Sequence, residues 1–373
     1  MKIVFLNDLI YAYATGAPSA VGGAERQQWL LAIALRRAGW RVVVGVRNAL
    51  EPDRRICING VDFVGLGRKQ FLWEWYRLLV SEQPDWWYWR CASHLLGLAV
   101  LVAKLARVRM IFAVGFDSDT NIRHALFQRP HWWPLYALGL SWADRIFVQN
   151  QRQLLSLPGR WRAKTWKVPS ITPESRATIP HAERAHYVAW VAMLRKFKRP
   201  DLLIEIARKA PEIRFVVCGG PTTFTAAPGY GEAIADTLRS LPNVEYRGQV
   251  SPNEAWRAIK EAALFLCTSD EEGFPNTFLQ AWSAGTPVVT LRIDPDHIIE
   301  RYGLGKVAVT VDQAVSDIRE LLGSPHGREV IALRTTAHVA IKHSASAAIS
   351  GFEAAIGGVV SPVVLQSDTT TST

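Results

Sequence analysis

The chain has 373 residues, 49% of them hydrophobic and 20% charged, with a formal net charge of +10. That length and apolar content suit two domains with independent cores and exclude a fibrous or mainly disordered chain. The charge favours an anionic partner, and by itself leaves open a nucleotide diphosphate, an acidic membrane surface or nucleic acid.

Cys57, Cys91, Cys218 and Cys267 are too scattered for a disulfide scaffold, and no cluster has zinc-ligand spacing, so no metal is expected and a reducing cytoplasm fits. Met1–Leu6 turns polar at Asn7 and Asp8, too soon for a secretory signal, and Leu95–Ala103 stops at Lys104, too short for a membrane span.

In chain order, the first half alternates strands and helices. Strands are predicted at Lys2–Leu6, Arg41–Val46, Trp86–Trp89, Met110–Val114 and Arg145–Gln149, with helices at Ala24–Ala38 and Ala92–Arg107. This rhythm implies a parallel α/β sheet. Gly22-Gly23-Ala24-Glu25 opens the first helix, where free N–H groups can hold a diphosphate or simply form a turn. Tyr88 and Arg90 end the third strand and are candidates for an acceptor; His94, at the head of an apolar helix, reads as structural. Asp117 and Asp119 follow Met110–Val114, as hydrogen-bonding groups, as a proton acceptor at Asp119, or as turn formers. Tryptophans are bunched at Trp73/Trp75, Trp86/Trp87/Trp89 and Trp132/Trp133, which reads as core packing or as attachment to an anionic membrane surface.

Arg162–Arg184, with Pro169, Pro173 and Pro180, reads as a linker between a domain of residues 1–170 and one of residues 185–340. The rhythm then restarts: strands Tyr187–Met193, Arg214–Cys218, Val244–Tyr246, Ala262–Cys267 and Pro287–Leu291, with a helix Pro200–Lys209. Two Rossmann-like halves joined this way are expected to face a ligand cleft. A helix over 341–358 and a disordered tail over 359–373 complete the expectation.

Within the second half, Arg195, Lys196, Lys198 and Arg199 follow a strand end. Cations at a strand's carboxyl end suit a leaving diphosphate, or form a solvated basic helix entrance; Lys196 and Arg199 read as surface. Gly219-Gly220-Pro221 and Arg247-Gly248-Gln249-Val250 are either ligand loops or tight turns. Ala262–Cys267 runs into a loop, Thr268–Pro275, and then into a helix from Asn276 that Gly285 and Pro287 stop. Gly273 permits close backbone approach, Glu272 can accept hydrogen bonds from sugar hydroxyls, and Gln280 lies one turn past Asn276.

The stretch EEGFPNTFLQAWSAGTPVV, Glu271–Val289, resembles the donor-site signature of GT-B retaining glycosyltransferases, in particular glycosyltransferase family 4 (glycosyl transferases group 1). The usual pattern is Glu, seven residues, Glu; Glu272 takes the first place and Gln280 stands in the second. The GGAE segment is similar to the family's glycine-rich first loop. Met193 occupies the position where an Arg is commonest, with Arg195 two residues on, and Lys198 matches the family's Lys. Where many relatives carry a His, this chain has Asp117 and Asp119.

The resemblance implies two Rossmann-like domains with parallel sheets. It implies a nucleotide-diphosphate sugar as donor substrate, no cofactor, no metal and an acceptor hydroxyl on the first domain; the basic, tryptophan-rich composition of that domain points to a glycan or lipid-linked saccharide as acceptor, as in assembly of a surface polysaccharide or glycolipid. Glu272, Lys198, Arg195 and Asp119 would carry the chemistry. Gly22, Gly23, Gly219, Gly220, Gly273, Phe274, Pro275, Asn276, Thr277 and Gln280 would bind the donor, with Tyr88, Arg90 and Asp117 on the acceptor side. The rival readings are a partner subunit that binds without transfer, which Gln280 and Met193 motivate, and a sugar-nucleotide epimerase of the same fold. Nucleic-acid binding is supported by charge alone.

Overall fold

The computed structural model describes residues 1–17, 22–123, 125–126, 129–172, 178–222 and 229–358. Contacts divide the chain into one unit of Met1–Thr15, Ala24–Ser170 and Ala345–Thr373 and another of Gly16–Gly23 and Ile171–Ser344. The tail expected at 359–373 lies outside the described residues, as does Pro173.

The first unit is built on eight strands: β1 Lys2–Leu6, β2 Arg41–Val46, β3 Arg55–Ile58, β4 Val61–Gly65, β5 Trp86–Arg90, β6 Arg109–Ala113, β7 Arg145–Val148 and β8 Thr165–Lys167. Their order is β3-β4-β2-β1-β5-β6-β7-β8, parallel throughout except for β3, which pairs antiparallel with β4. That hairpin turns at Asn59 and Gly60, both at positive φ (51° and 78°), the backbone a tight type I′ turn demands. The Asn-Gly pair is thus a hairpin signal that the alternating strand-helix reading passed over.

Helices Phe71–Glu82, Leu96–Leu105 and Trp133–Trp142 pack over one face of this sheet, burying Trp75, Leu79, Ala99 and Leu140 against Val4, Val43, Trp87 and Phe112. The helix expected over Ala92–Arg107 therefore begins at Leu96, and Cys91 at φ 68° makes the turn before it. Leu96–Leu105 and Trp133–Trp142 approach closely because each contributes a glycine. A Cβ on Gly97 would meet the Leu135 carbonyl oxygen, and one on Gly139 would lie 2.9 Å from the Gly97 nitrogen.

The tryptophan clusters divide sharply. Trp86 and Trp87 are fully buried in β5 and Trp75 is buried beside them, with Trp75–Trp87 ring centroids 5.5 Å apart. These three belong to the core reading, because a central strand of a parallel sheet is covered on both faces. Trp73, Trp132 and Trp133 are exposed.

The second unit has six parallel strands: β9 Ala185–Val191, β10 Phe215–Cys218, β11 Val244–Gly248, β12 Ala262–Cys267, β13 Val288–Thr290 and β14 Gly305–Val307, ordered β11-β10-β9-β12-β13-β14. Residues alternate between two cores, with Val188, Trp190, Leu264 and Leu266 on one face and Ala189, Phe265 and Cys267 on the other.

Two features depart from the linker expectation. Thr165–Lys167 is the last strand of the first sheet, so the connection starts only after it. At the other end, Arg184 is buried and donates to the carbonyls of Ile179 (2.9 Å), Ala262 (3.2 Å) and Ala284 and to Thr286 Oγ1 (2.6 Å). It anchors the end of the connection in the second unit, a role that needs a partner 78 to 102 residues away and has no local signature. The helix expected at 341–358 is Ala345–Gly357, and it joins the first unit: Arg145 Nε donates to the Ala355 carbonyl at 2.8 Å, and Phe352 packs against Trp40 and Phe147.

The glycine crossing yields a test. Gly97→Ala is expected to destabilise the protein by about 1–3 kcal/mol in denaturant unfolding, because the new methyl meets backbone that cannot rotate away. An unchanged midpoint would mean that the helices can part without cost.

Candidate functional site

In the second sheet, the chain places β10 and β11 on one side of β9 and β12, β13 and β14 on the other. The order therefore reverses between β9 and β12, the place in an open parallel sheet where the loops leaving the strands' carboxyl ends serve ligands. Those loops are Ala192–Arg199 and Thr268–Pro275, the two that carry the basic run and the Glu-Gly-Phe-Pro-Asn run.

Backbone and side chain fasten the two loops together. Thr268, fully buried, donates its hydroxyl to the Lys198 carbonyl at 2.7 Å and accepts from Trp190 Nε1 at 2.9 Å. The Asp270 N–H donates to the Phe197 carbonyl at 2.8 Å. Across this seam the Lys198 ammonium pairs with the Glu272 carboxylate, whose Oε1 also accepts from Ser269 Oγ at 3.0 Å. The two side chains are only 19% and 10% exposed, so an acid and a base are held together in a recess with little water to screen them. Each is positioned to exchange its partner for a ligand group of matching charge or hydrogen-bonding capacity.

Arg195 is half-buried on the same loop, with its guanidinium 6.0 Å from the centroid of the Phe197 ring. Lys196 is exposed as expected. Arg199 is not a plain surface residue. At φ 51° it caps the helix Pro200–Lys209 and reaches Asp201 at 2.7 Å and Asp270 at 3.2 Å, while Asp270 also meets Arg292. This exposed network adds modestly to the seam. Its local signal was Asp201 in the first helical turn; Asp270 is 71 residues away.

After Glu272, Gly273, Phe274 and Pro275 are buried, and the helix Asn276–Ser283 begins at once. Phe274 lies 4.8 Å from the His343 ring and 6.3 Å from Trp282, which anchors the loop from beneath. Asn276 and Thr277 in the first turn are half-buried, and Gln280 retains only 7% exposure. Gly23 belongs to the same unit, and a Cβ there would collide with the Asn276 side-chain amide. Gly22 precedes it at φ 108°, a conformation that favours glycine.

Gly219 and Gly220 have a packing reason of their own. Gly219 sits at φ 147° against the Ala192 carbonyl, donates to Gly248 O at 2.7 Å and accepts from the Tyr246 hydroxyl at 3.0 Å. Gly220 O accepts from Leu194 N at 3.0 Å. These bonds tie the loops after β10 and β11 to the start of the Arg195–Lys198 turn, and Arg247 beside them pairs with Glu245 at 2.7 Å.

In the first unit the order reverses between β1 and β5. Arg90, the last residue of β5, donates to the hydroxyl of the buried Tyr88 at 3.2 Å. Asp119 is 4% exposed, and its Oδ2 accepts from the Gly115 and Phe116 N–H groups at 2.7 and 3.1 Å. The Tyr136 hydroxyl donates to the Asp119 carbonyl at 2.7 Å. Asp119 thus organises its own loop from within, and the structure does not present it as an open base. Asp117 is held by Gln153 Nε2 at 3.0 Å and Asn150 Nδ2 at 3.3 Å. His94 meets Arg129 at 3.0 Å and the Trp132 ring.

Residues 185–324 match the family model of glycosyl transferases group 1. The chain is 26% identical over 211 residues to a D-inositol 3-phosphate glycosyltransferase of Mycobacterium sp. (strain KMS), covering 49% of this chain and 48% of that protein. It is 26% identical over 237 residues to the enzyme of that name from Mycobacterium tuberculosis (strain ATCC 25177 / H37Ra), covering 58% and 49%. The chain spans about half the length of these curated relatives. Among solved structures it is similar to sucrose-phosphate synthase from Thermosynechococcus elongatus (TM-score 0.74, 15% identity, 96% of this chain and 99% of that one). It is also similar to Anabaena HepE in complex with UDP and glucose (TM-score 0.71, 15% identity, 96% and 100%). Two parallel-sheet α/β units of this kind are the GT-B fold.

Burial raises the Asp119 carboxyl to about 6, against the opposing pull of the N–H groups of Gly115 and Phe116. A carboxyl raised in the folded state binds its proton more tightly there than in the unfolded chain, so stability falls as pH rises from about 4 to about 6 and then levels. Relative to Asp119→Asn, the wild type is expected to lose about 1–3 kcal/mol across that window in denaturant titrations. Parallel pH profiles for the two proteins would contradict the buried titration.

Proposed function

We propose that this chain, whose second unit belongs with the glycosyl transferases group 1 in a GT-B fold, moves a sugar from a nucleotide-diphosphate donor to an acceptor hydroxyl. The observation that carries the reading is the Lys198–Glu272 pair at the switch point of the second sheet. On donor binding, Lys198 and Arg195 meet the diphosphate and Glu272 turns to the sugar hydroxyls. The bond from the anomeric carbon to the phosphate oxygen breaks, and the acceptor oxygen bonds to that carbon on the same face. The acceptor's proton passes to the departing phosphate. Leaving-group charge is then balanced by these two cations and by N–H groups near Gly273 and Gly23, with no metal and no cofactor in the step.

Tyr88 and Arg90 belong on the acceptor side in this reading, while Asp117 and Asp119 hold the loop beside them. The acceptor is a glycan or a lipid-linked saccharide, and the cytoplasmic assembly of a surface polysaccharide or glycolipid is the setting proposed. Support for a nucleotide sugar comes from the fold neighbours whose structures hold UDP with glucose or UDP-2-fluoro glucose.

Gln280 in place of the usual acid favours one rival, a partner that binds the donor and does not turn it over. A thermal-shift panel of UDP-, GDP- and ADP-sugars separates these, since a ligand selective for the folded state raises Tm. One donor class is expected to raise Tm and to be slowly hydrolysed. Glu272→Gln and Lys198→Met are each expected to lower that turnover by roughly 10²–10³-fold. A shift without turnover in the wild type would favour the partner, and no shift with any donor would overturn both.

A further inference from the structure

The three helices that cover one face of the first sheet carry apolar residues on their outer sides as well. The middle helix, Leu96–Leu105, packs against both Phe71–Glu82 and Trp133–Trp142, so the three form one layer. Each keeps apolar side chains that the core leaves exposed: Trp73 (56%) and Val80 on the first, Leu105 (73%) on the second, and Trp133 (40%) and Trp142 (45%) on the third. A water-facing helix layer presents polar residues at these positions; one that is apolar on both sides meets something other than water.

Charge around the layer identifies the occupant. Over residues 71–167, which span the three helices, thirteen Lys and Arg stand against six Asp and Glu, a net +7 of the chain's +10. Of these acids Asp119 is buried, Asp117 is held by Gln153, Glu82 pairs with Lys2 and Arg55, Glu74 with Arg77, and Asp144 with Lys104 at 2.8 Å. Lys164 donates to the carbonyls of Ser141 and Ala143, which sets its ammonium beside Trp142; Arg123 lies over the Trp133 ring at 5.9 Å; and Lys104 adjoins Leu105. Cations rimming exposed tryptophan and leucine match the chemistry of an anionic bilayer surface, with rings at headgroup depth and positive charges at the phosphates. Among the described residues no helix is long and apolar enough to cross a membrane.

We propose that this helix layer seats the first unit on an anionic lipid surface without spanning it. The proposal stands apart from the transferase reading, since none of the residues assigned there to donor or acceptor lies on these three helices. The full chain is to be floated with vesicles of phosphatidylcholine alone and with 30% phosphatidylglycerol, at low and high salt, beside the variant Trp133→Ser/Leu105→Ser/Trp142→Ser. The wild type is expected to float with the anionic vesicles and to lose most of that binding in salt. The variant is expected to bind at least about tenfold more weakly while keeping its Tm, because exposed side chains contribute little to the fold.

If the variant fails to fold, brominated lipid in anionic vesicles tests the wild type alone: its tryptophan fluorescence should be quenched. A wild type that neither floats nor is quenched overturns the proposal. So does a salt-insensitive dimer that the triple variant abolishes, which would make the layer an interface between copies of this chain.

Discussion

The second unit depends on the seam between the loops that follow β9 and β12. A parallel sheet buries its central strands on both faces, so chemistry can only stand at strand ends, and loops there are held by whatever bonds they make to each other. Here the bond is Thr268 to the Lys198 carbonyl, with Trp190 behind it and the Asp270-to-Phe197 backbone bond beside it. The fully buried hydroxyl and indole N–H satisfy one another, which leaves neither free to rearrange cheaply. Lys198 and Glu272 are consequently presented as a pair, each restrained by its own loop.

Glycine serves the same end by a different route. Gly219 admits the Ala192 carbonyl, and Gly97 and Gly139 admit a neighbouring helix backbone. In each case the absent Cβ buys close approach. Gly219 and Gly220, read from their order as either ligand groups or turn formers, have a structural duty already, in fastening three loops together. Proximity to the Lys198–Glu272 loops and membership of their scaffold are not alternatives at these positions.

Much of the site was legible because its residues are close in sequence. The run from Glu271 to Val289 shows its strand end, loop and helix in order, and the basic run Arg195–Arg199 shows a strand end and a helix start. Burial was less legible. Trp73 and Trp75 look alike two residues apart, yet one is 56% exposed and the other 6%, because a helix turns them to different sides. Asp119 looks like a loop acid available to a ligand and is in fact covered, since the carboxylate is used by the backbone that precedes it.

The sequence alone determined the α/β rhythm, most strand positions, the absence of a disulfide pattern and the placing of Glu272 and Gly273 in a loop that runs straight into a helix. These follow from periodicity and from neighbours within one or two turns, which local order encodes. Only the tertiary structure decided that Lys198 and Glu272, 74 residues apart, meet, that Arg184 is an anchor and not a linker residue, and which tryptophans reach the surface. The reason is physical: strand order in a parallel sheet is chosen by the packing of crossover helices, and the pairings it creates at strand ends have no trace in the residues between them.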